Sequence, residues 1–217
     1  GRLVAPLLQD AGCKVRVLSR RSHESGDGID FVTGDLTTGA GIEAAVDGVD
    51  TIVHCAGTAK GDEDKTRNLV QAASRLGAPH LVYISVVGAD RVPVVSRIDR
   101  AMFGYFASKR AAERIVAASG LPWTTLRATQ FHDLSLTTAR QLAKLPVIPA
   151  PAGFRVQPID TAEVATRLVE LSLGEPAGLV PDIAGPRVYE LKELVRSYLQ
   201  ATGRPRLSVP VRFPGKA

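Results

Sequence analysis

A tyrosine and a lysine four residues apart are the clearest chemical signal in this sequence. Tyr105 and Lys109 belong to the stretch YFASK, which we predict to open a helix. Residues four apart on a helix share a face, so the phenol and the ammonium can point into one site. A nearby cation favours a phenolate, and we therefore expect Lys109 to lower the pKa of Tyr105 and make it a proton donor at neutral pH. A surface contact between the two side chains has the same spacing, and that alternative stays open on this pair alone.

A serine ends the strongest predicted strand, shortly before the tyrosine helix. Ser85 lies in the run LVYISVV over residues 81–87. Ligands bind at the carboxyl ends of the parallel strands in open α/β sheets. Placed there, Ser85, Tyr105 and Lys109 could bind a carbonyl oxygen, deliver a proton and hold a ribose hydroxyl. The alternative for Ser85 is a hydroxyl that hydrogen-bonds within its own loop.

Three further segments follow predicted strands and have residue types that suit a dinucleotide. Ser19-Arg20-Arg21 follows the strand predicted over 14–18. An arginine at this position favours binding of NADP, which has a 2′-phosphate, over NAD, which has an unmodified ribose there. Solvated arginines are the alternative reading. Gly34-Asp35-Leu36 offers a short carboxylate to an adenine amino group. Cys55-Ala56-Gly57-Thr58 is made of small residues that let the backbone approach a cofactor closely.

The elements that must position these residues alternate along the chain. We predict strands over 14–18, 29–33, 51–55, 81–87 and 123–127, and helices over 2–11, 40–46, 62–76 and 106–118. This alternation predicts right-handed βαβ units, and hence an α/β fold with a Rossmann-like, doubly wound parallel sheet. The acidic run Asp62-Glu63-Asp64 is interpreted as a solvated first helical turn, which the helix dipole favours. His54 falls inside a buried strand and is not expected to bind a ligand.

The regular pattern ends near Leu145 and gives way to a proline-rich segment. Beyond it we predict helices over 161–173 and 191–202 and a strand over 207–211. We therefore expect a single domain over 1–217, with a core over 1–145 and a smaller C-terminal substrate lobe over 146–217.

The first predicted element is a helix, whereas a doubly wound sheet begins with a strand. In such folds that strand is central and leads into a glycine-rich phosphate turn. Gly1, directly before an amphipathic helix, is similar to the last glycine of that turn. We therefore expect the natural protein to have the missing strand and turn before Gly1, about ten further residues.

Composition narrows the classes of partner. The 217 residues are 45% hydrophobic and 23% charged, which is typical of a globular protein and argues against disorder. No apolar run approaches the roughly 18 residues of a membrane span, so we expect no membrane partner. The basic residues are scattered along the chain, which argues against nucleic acid as a partner. Cys13 and Cys55 match no metal motif or disulfide framework, so we expect no metal site and a cytoplasmic protein.

Taken together, these stretches resemble the short-chain dehydrogenase/reductase superfamily, in its atypical NmrA-like branch of NAD(P)-binding proteins. The matching stretches follow the family's order and span most of the chain: VRVLSRR, GDLT, IVHCAGT, DKTRNLVQAA, HLVYISVVGAD, YFASKRAAERIVAASGLPWTTLRATQF and QPIDTAEVA. The resemblance implies Tyr105 as general acid, Lys109 as its tuner and ribose clamp, and Ser85 as the group that orients the carbonyl. The cofactor-binding residues that it implies, with those from the strand ends, are Gly1, Ser19, Arg20, Arg21, Asp35, Leu36, Cys55, Ala56, Gly57, Thr58, Lys109, Ala128 and Thr129. Gln130 and Phe131 would then border the substrate pocket.

Three functions fit this resemblance. The first is an NADP-dependent oxidoreductase, with NAD as the other candidate cofactor, that acts on a small carbonyl or quinone compound. The second is a sensor that binds the dinucleotide without turning it over, as regulators of the NmrA-like type do; the intact Tyr-x-x-x-Lys spacing favours the enzyme. A sugar-nucleotide epimerase shares the same residues but usually has a larger substrate lobe. The partner expected is a small-molecule substrate, and the sequence leaves a homodimer open.

Overall fold

The structure is a computed structural model that describes residues 1–23, 28–57, 61–94, 97–151, 153–203 and 207–211. The chain folds into two compact units. The first consists of Gly1–Ala128 and Ala162–Ile183, and the second of Thr129–Thr161 and Ala184–Ala217. The change of unit at Ala128 comes before Leu145, where the sequence pattern loses its regularity.

The first unit contains most of the predicted strands and helices. Its elements in chain order are α1 (Val4–Asp10), β1 (Val15–Ser19), β2 (Ile29–Thr33), α2 (Ile42–Val46), β3 (Thr51–His54), α3 (Asp62–Arg75), β4 (His80–Val86), α4 (Arg97–Ala117), β5 (Trp123–Ala128), α6 (Thr161–Leu173, which begins at the boundary residue) and β8 (Gly178–Leu179). From β2 to β5 strands and helices alternate, as the sequence predicts.

Parallel pairing confirms the α/β class. Strands β3, β4, β5 and β8 form one four-stranded parallel sheet in that order, and β1 pairs with β2 in a separate parallel sheet. The short strand β8 was not predicted from the sequence. Each connection within the four-stranded sheet carries a helix, as a parallel arrangement requires. The expectation of a further strand before Gly1 stays a prediction.

Burial explains why these segments take their places. Strand β5 is buried along nearly its whole length, as suits a strand covered on both faces. Helix α3 buries Thr66, Leu69 and Ala73 at helical spacing, and these face a core that also contains Leu81 and Val116. This core holds α3 and α4 close to β4, and so fixes the elements that carry the candidate site.

Helix α4 begins earlier than the sequence predicts. The prediction placed its start at Phe106, whereas the helix runs from Arg97. Tyr105 is therefore in the interior of the helix and does not open it. Gly104 disfavours a helix by about 1 kcal/mol relative to alanine, and this local signal is outweighed where a long helix packs on its neighbours.

The second unit combines helices with short strands. Its elements are α5 (His132–Leu142), β6 (Val147–Pro151), β7 (Arg155–Val156), β9 (Tyr189–Glu190), α7 (Leu191–Ala201) and β10 (Leu207–Val211). Strands β6 and β10 pair in parallel, and β7 pairs antiparallel with β9. Helix α5 and the pairing of the proline-containing strand β6 were not predicted. Proline lacks a backbone donor, and here it lies in a two-stranded ladder, where it is tolerated at an edge.

The described residues bear on two of the features considered above, a membrane-spanning helix and a metal site. Within the described residues, every helix is too short or too polar to cross a membrane. In the same part of the chain, histidine, cysteine and acidic side chains do not gather in groups of three that could hold a metal ion.

Candidate active site

The predicted tyrosine and lysine share one face of α4. The Nζ atom of Lys109 lies 6.0 Å from the centre of the Tyr105 ring. Tyr105 is 39% exposed, whereas Lys109 is only 4% exposed. The structure therefore brings the two together with the phenol at the surface and the ammonium inside the protein.

The Lys109 ammonium has three protein partners. It forms a salt bridge with Oδ2 of Asp62 at 3.0 Å and donates to the backbone oxygen of Ile84 at 3.1 Å. It also donates to the hydroxyl of Tyr83 at 3.3 Å. Two of these contacts are hydrogen bonds and the third is an ion pair, so the ammonium is engaged within the protein on several sides. The ribose-clamp role stays a prediction.

Asp62 corrects the interpretation of the acidic run at the start of α3. The sequence pattern predicts a solvated first turn of Asp62, Glu63 and Asp64, but Asp62 is 1% exposed. That interpretation is wrong for Asp62 because this residue precedes Thr66 by one helical turn and continues the buried stripe of the helix. This position in the repeat of buried residues is the sequence signal that would have identified Asp62 as buried.

Ser108, the residue before Lys109, binds the first turn of α3. The Ser108 hydroxyl accepts from the backbone N–H of Asp62 at 3.2 Å and donates to Oε2 of Glu63 at 2.6 Å. Consecutive residues of the YFASK stretch therefore both fasten the first turn of α3 to α4. The hydroxyl satisfies one of the N–H groups that a helix start leaves without a partner inside the helix.

Gly57 makes room for this arrangement. A Cβ atom at position 57 would lie 2.9 Å from Nζ of Lys109 and 3.1 Å from Oδ2 of Asp62. The sequence analysis assigned Gly57 to close approach of a cofactor. The structure adds a second demand for glycine, because a side chain here would press on the buried ion pair.

The electrostatics of Tyr105 differ from the expectation. Burial raises the pKa of Tyr105 above its usual range, and the Asp62 carboxylate raises it further. The expectation of a lowered pKa is wrong, because burial of the phenol and the carboxylate paired with Lys109 both act to raise it. The phenol is therefore protonated at neutral pH and has a proton to donate.

Ser85 is buried near the carboxyl end of β4. It follows Ile84, whose backbone oxygen binds Lys109. Among the described residues, the Ser85 hydroxyl has no hydrogen-bond partner. Burying a hydroxyl without a partner costs about 1–3 kcal/mol, so such groups are retained mainly where a ligand or water binds them.

A second group of predicted residues lies at the ends of β1 and β2. Arg20 and Arg21 are exposed directly after β1. Asp35 accepts from the backbone N–H of Thr37 at 2.8 Å, and this hydrogen bond lowers its pKa. The positive charge of Arg20 acts in the same direction. Parallel pairing of β1 with β2 thus brings a guanidinium and a carboxylate to one edge.

The loop after β2 is held by Asn68. Its Nδ2 donates to the backbone oxygen of Leu36 at 2.8 Å. Leu36 is buried in the core, so its side chain and its carbonyl are both engaged within the protein. The predicted contact of Leu36 with adenine stays a prediction.

The other predicted cofactor residues have the following places. Ser19 ends β1 and its hydroxyl accepts from the backbone of Arg21, and the Gly1 carbonyl accepts the first hydrogen bonds of α1. Cys55 is half-buried and Ala56 exposed after β3, while Ala128 is buried at the end of β5. Thr129 begins the second unit, where its buried hydroxyl has no partner among the described residues. Thr58 lies outside the described residues.

Sequence reasoning also missed an ion cluster at the end of β5. Arg127 binds both carboxylate oxygens of Glu113, at 2.8 and 2.7 Å. It also lies 3.0 Å from Asp90, in the segment after β4. Burial acts to raise the pKa of Asp90, but the hydrogen bond from Arg127, a backbone hydrogen bond and the charges of Arg127 and Arg91 together lower it. The cluster ties α4 and the segment after Ser85 to β5.

Comparison with known proteins identifies the family. The model of a family described as NAD(P)H-binding matches residues 1–171. The chain belongs to this NAD(P)H-binding family. The resemblance drawn from the sequence is thereby confirmed at the level of the family.

Relatives and solved structures agree with this membership. The chain is 29% identical over 212 residues to a (4-alkanoyl-5-oxo-2,5-dihydrofuran-3-yl)methyl phosphate reductase of Streptomyces griseus, covering 94% of this chain and 71% of the relative. An NADPH-dependent quinone oxidoreductase of Escherichia coli, complexed with NADPH, matches with a TM-score of 0.80 at 20% identity, over 98% of this chain and 75% of that one. The enzyme WbmH of Bordetella bronchiseptica, in complex with NAD⁺, matches with a TM-score of 0.74 at 20% identity, over 98% and 81% of the two chains. These two structures support the Rossmann-like fold.

Proposed function

We propose that this protein is an NADP-dependent oxidoreductase that reduces a small carbonyl or quinone compound, with Tyr105 as the proton donor. The observation that carries the proposal is a partly exposed phenol on α4 whose ring centre lies 6.0 Å from the buried Lys109 ammonium, which is paired with Asp62 of α3. The Streptomyces relative is named a reductase and the Escherichia coli neighbour a quinone oxidoreductase, which supports this direction of reaction.

The residues of the chain fit a dinucleotide at two places. The exposed guanidiniums of Arg20 and Arg21 would bind the adenosine phosphate, and Asp35 on the neighbouring strand end would accept from the adenine. The exposed turn at Ala56 and Gly57 offers backbone without bulky side chains. The unpartnered hydroxyl of Ser85 fits a ligand oxygen near the other end.

The nicotinamide, when bound, supplies a hydride to the substrate carbon. Tyr105 donates its phenolic proton to the substrate oxygen as negative charge develops there, and so becomes a phenolate. Ser85 donates a hydrogen bond to the same oxygen and orients it. Because Tyr105 is partly exposed, it regains a proton from water after the product leaves.

The test is oxidation of NADPH with a panel of quinones and aldehydes, followed by the loss of reduced-cofactor absorbance. Tyr105→Phe should lower turnover by about 10²- to 10⁴-fold, the usual contribution of a general acid. Tyr189→Phe, which removes a phenol in the second unit, is the matched control and should lower turnover far less than Tyr105→Phe. Turnover that survives Tyr105→Phe contradicts the assignment of the acid.

A second candidate is the dinucleotide sensor, and one observation favours it. The Lys109 ammonium is buried and is engaged within the protein by one ion pair and two hydrogen bonds, which a structural role alone would explain. Tight binding of NADPH with no turnover on any compound of the panel would identify the protein as a sensor.

A further inference from the structure

The buried ion pair beneath Tyr105 assigns a role to an acidic residue outside the Tyr-x-x-x-Lys spacing. We propose that Asp62 is a positioning residue of this site, which holds the Lys109 ammonium against β4 and cancels its charge beneath Tyr105. The proposal deepens the proposed function and rests on it, because it concerns the state of the proton donor.

The position of Asp62 is held from several sides. Its carboxylate is 3.0 Å from the ammonium, and its backbone N–H donates to Ser108. Gly57 leaves open the space next to both charged groups. At 1% exposure, Asp62 has exchanged its hydration for these contacts, and a buried carboxylate is retained only when it is paired. The pair is therefore a built part of the site and not an adventitious surface contact.

Charge cancellation is what connects Asp62 with the chemistry of Tyr105. An unpaired ammonium 6.0 Å from the ring would stabilise the phenolate and turn the residue towards a base. With Asp62 in place the pair has no net charge, and the carboxylate itself raises the pKa of Tyr105. The donor is thus kept in the acid form that reduction of a carbonyl requires.

Other titratable groups lie around this pair. Tyr83 is buried, and its pKa is raised far above the usual range by burial and by the nearby carboxylates, so the Tyr105→Phe difference is what isolates the titration of Tyr105. His54 is buried and its pKa is lowered to about 4, mainly by burial and then by Lys109, so it is neutral at neutral pH. Within the described part of the chain, the titratable groups on the surrounding elements include Asp62 and Glu63 from α3, Tyr83 from β4, Lys109 and Glu113 from α4, His54 from β3 and Arg127 from β5.

The test is the ionisation of Tyr105 in the protein without cofactor or substrate. Tyrosinate absorbance is measured against pH for each protein and for the same protein carrying Tyr105→Phe, and the difference gives the Tyr105 midpoint. Asp62→Asn removes the charge but keeps the shape, and the midpoint should fall by about one pH unit, a tenfold change in proton affinity. Asp64→Asn, the same substitution two residues later at an exposed site, should leave it unchanged. An equal midpoint in Asp62→Asn and the unmodified protein overturns the proposal.

A second pair of variants covers the case in which Asp62→Asn does not fold. Lys109→Met leaves the carboxylate without its cation, and Lys109→Met combined with Asp62→Asn removes both charges and avoids an unpaired buried ion. The Tyr105 midpoint should be lower in the double variant than in Lys109→Met alone. Equal midpoints in these two proteins overturn the proposal as well.

The titration also separates this proposal from the proposed function. It needs no substrate, so a shifted midpoint supports Asp62 as the positioning residue even if Tyr105→Phe retains turnover. Conversely, loss of turnover in Tyr105→Phe together with an unshifted midpoint in Asp62→Asn supports the acid and rejects the role of Asp62. Asp62→Glu, which keeps the charge, should restore the midpoint of the unmodified protein.

Discussion

Lys109 and Asp62 form a salt bridge of 3.0 Å between two side chains that are almost completely buried. The lysine comes from α4 and the aspartate from the first turn of α3, so the pair joins two helices beside the carboxyl half of β4. A buried pair stabilises little on its own, because desolvation of both charges opposes their attraction. Its effect is on position and charge, and several consequences are measurable.

The first prediction concerns the space at Gly57. Gly57→Ala would place a methyl group 2.9 Å from Nζ of Lys109, and the ammonium is held by three acceptors and has little freedom to move away. We expect a loss of about 1–3 kcal/mol in the free energy of unfolding, as for other overpacked sites. Gly104→Ala is the matched control, since a Cβ atom there meets nothing within 4 Å and α4 continues through it. It should stabilise the protein by about 0.5–1 kcal/mol in the same denaturant titration.

The second prediction concerns the Arg127–Glu113 pair. Arg127→Met should lower the free energy of unfolding by about 2–4 kcal/mol, because it leaves the largely buried Glu113 carboxylate unpaired. Combining it with Glu113→Leu should recover most of that loss. Asp90→Asn, at the more exposed partner, should change stability by less than about 1 kcal/mol. If Arg127→Met is no less stable than Asp90→Asn, the Arg127–Glu113 pair is not held as the structure describes.

The third prediction is a pH dependence that comes from His54. Its pKa in the folded protein is lowered from 6.5 to about 4, so the unfolded chain takes up a proton here at a higher pH than the folded protein does. Stability is then lost as the pH falls from about 6.5 to 4, and this residue accounts for about 3 kcal/mol. His54→Gln should flatten the curve of unfolding free energy over that interval, and the exposed His132→Gln controls for the loss of one histidine. An equally steep curve in His54→Gln would contradict this assignment.

The fourth prediction concerns the choice of cofactor. Arg20→Ala combined with Arg21→Ala should weaken the binding of NADPH by about tenfold or more and that of NADH much less, because only NADPH has the 2′-phosphate. Dissociation constants measured at one fixed ionic strength decide this, since charged contacts at exposed residues weaken with salt. Equal losses of affinity for the two cofactors would show that the arginines do not bind the adenosine 2′-phosphate. Lys14→Ala, a change of an exposed cation at the other end of β1, is the control.

The local elements of the first unit could be predicted because local patterns determine them. Short β-branched runs and the stripe of α3 predict most of its strands and helices to within a few residues. The start of α4 could not be predicted, since Gly104 lowers the local helix signal while packing extends the helix to Arg97. Helix α5 and the short strand β8 were missed for a related reason, because their stability depends on contacts made by the folded chain.

The sequence by itself determined the parallel α/β architecture and the shared helix face of Tyr105 and Lys109, because periodicity and spacing are properties of neighbouring residues. Only the tertiary structure decided what surrounds that face. Asp62 is 47 positions from Lys109 in the sequence, and folding brings their charged atoms to 3.0 Å. Since a pKa depends on burial and on charges that lie close in space, the pKa of Tyr105 is raised by its burial and by the Asp62 carboxylate, neither of which follows from the spacing of the motif.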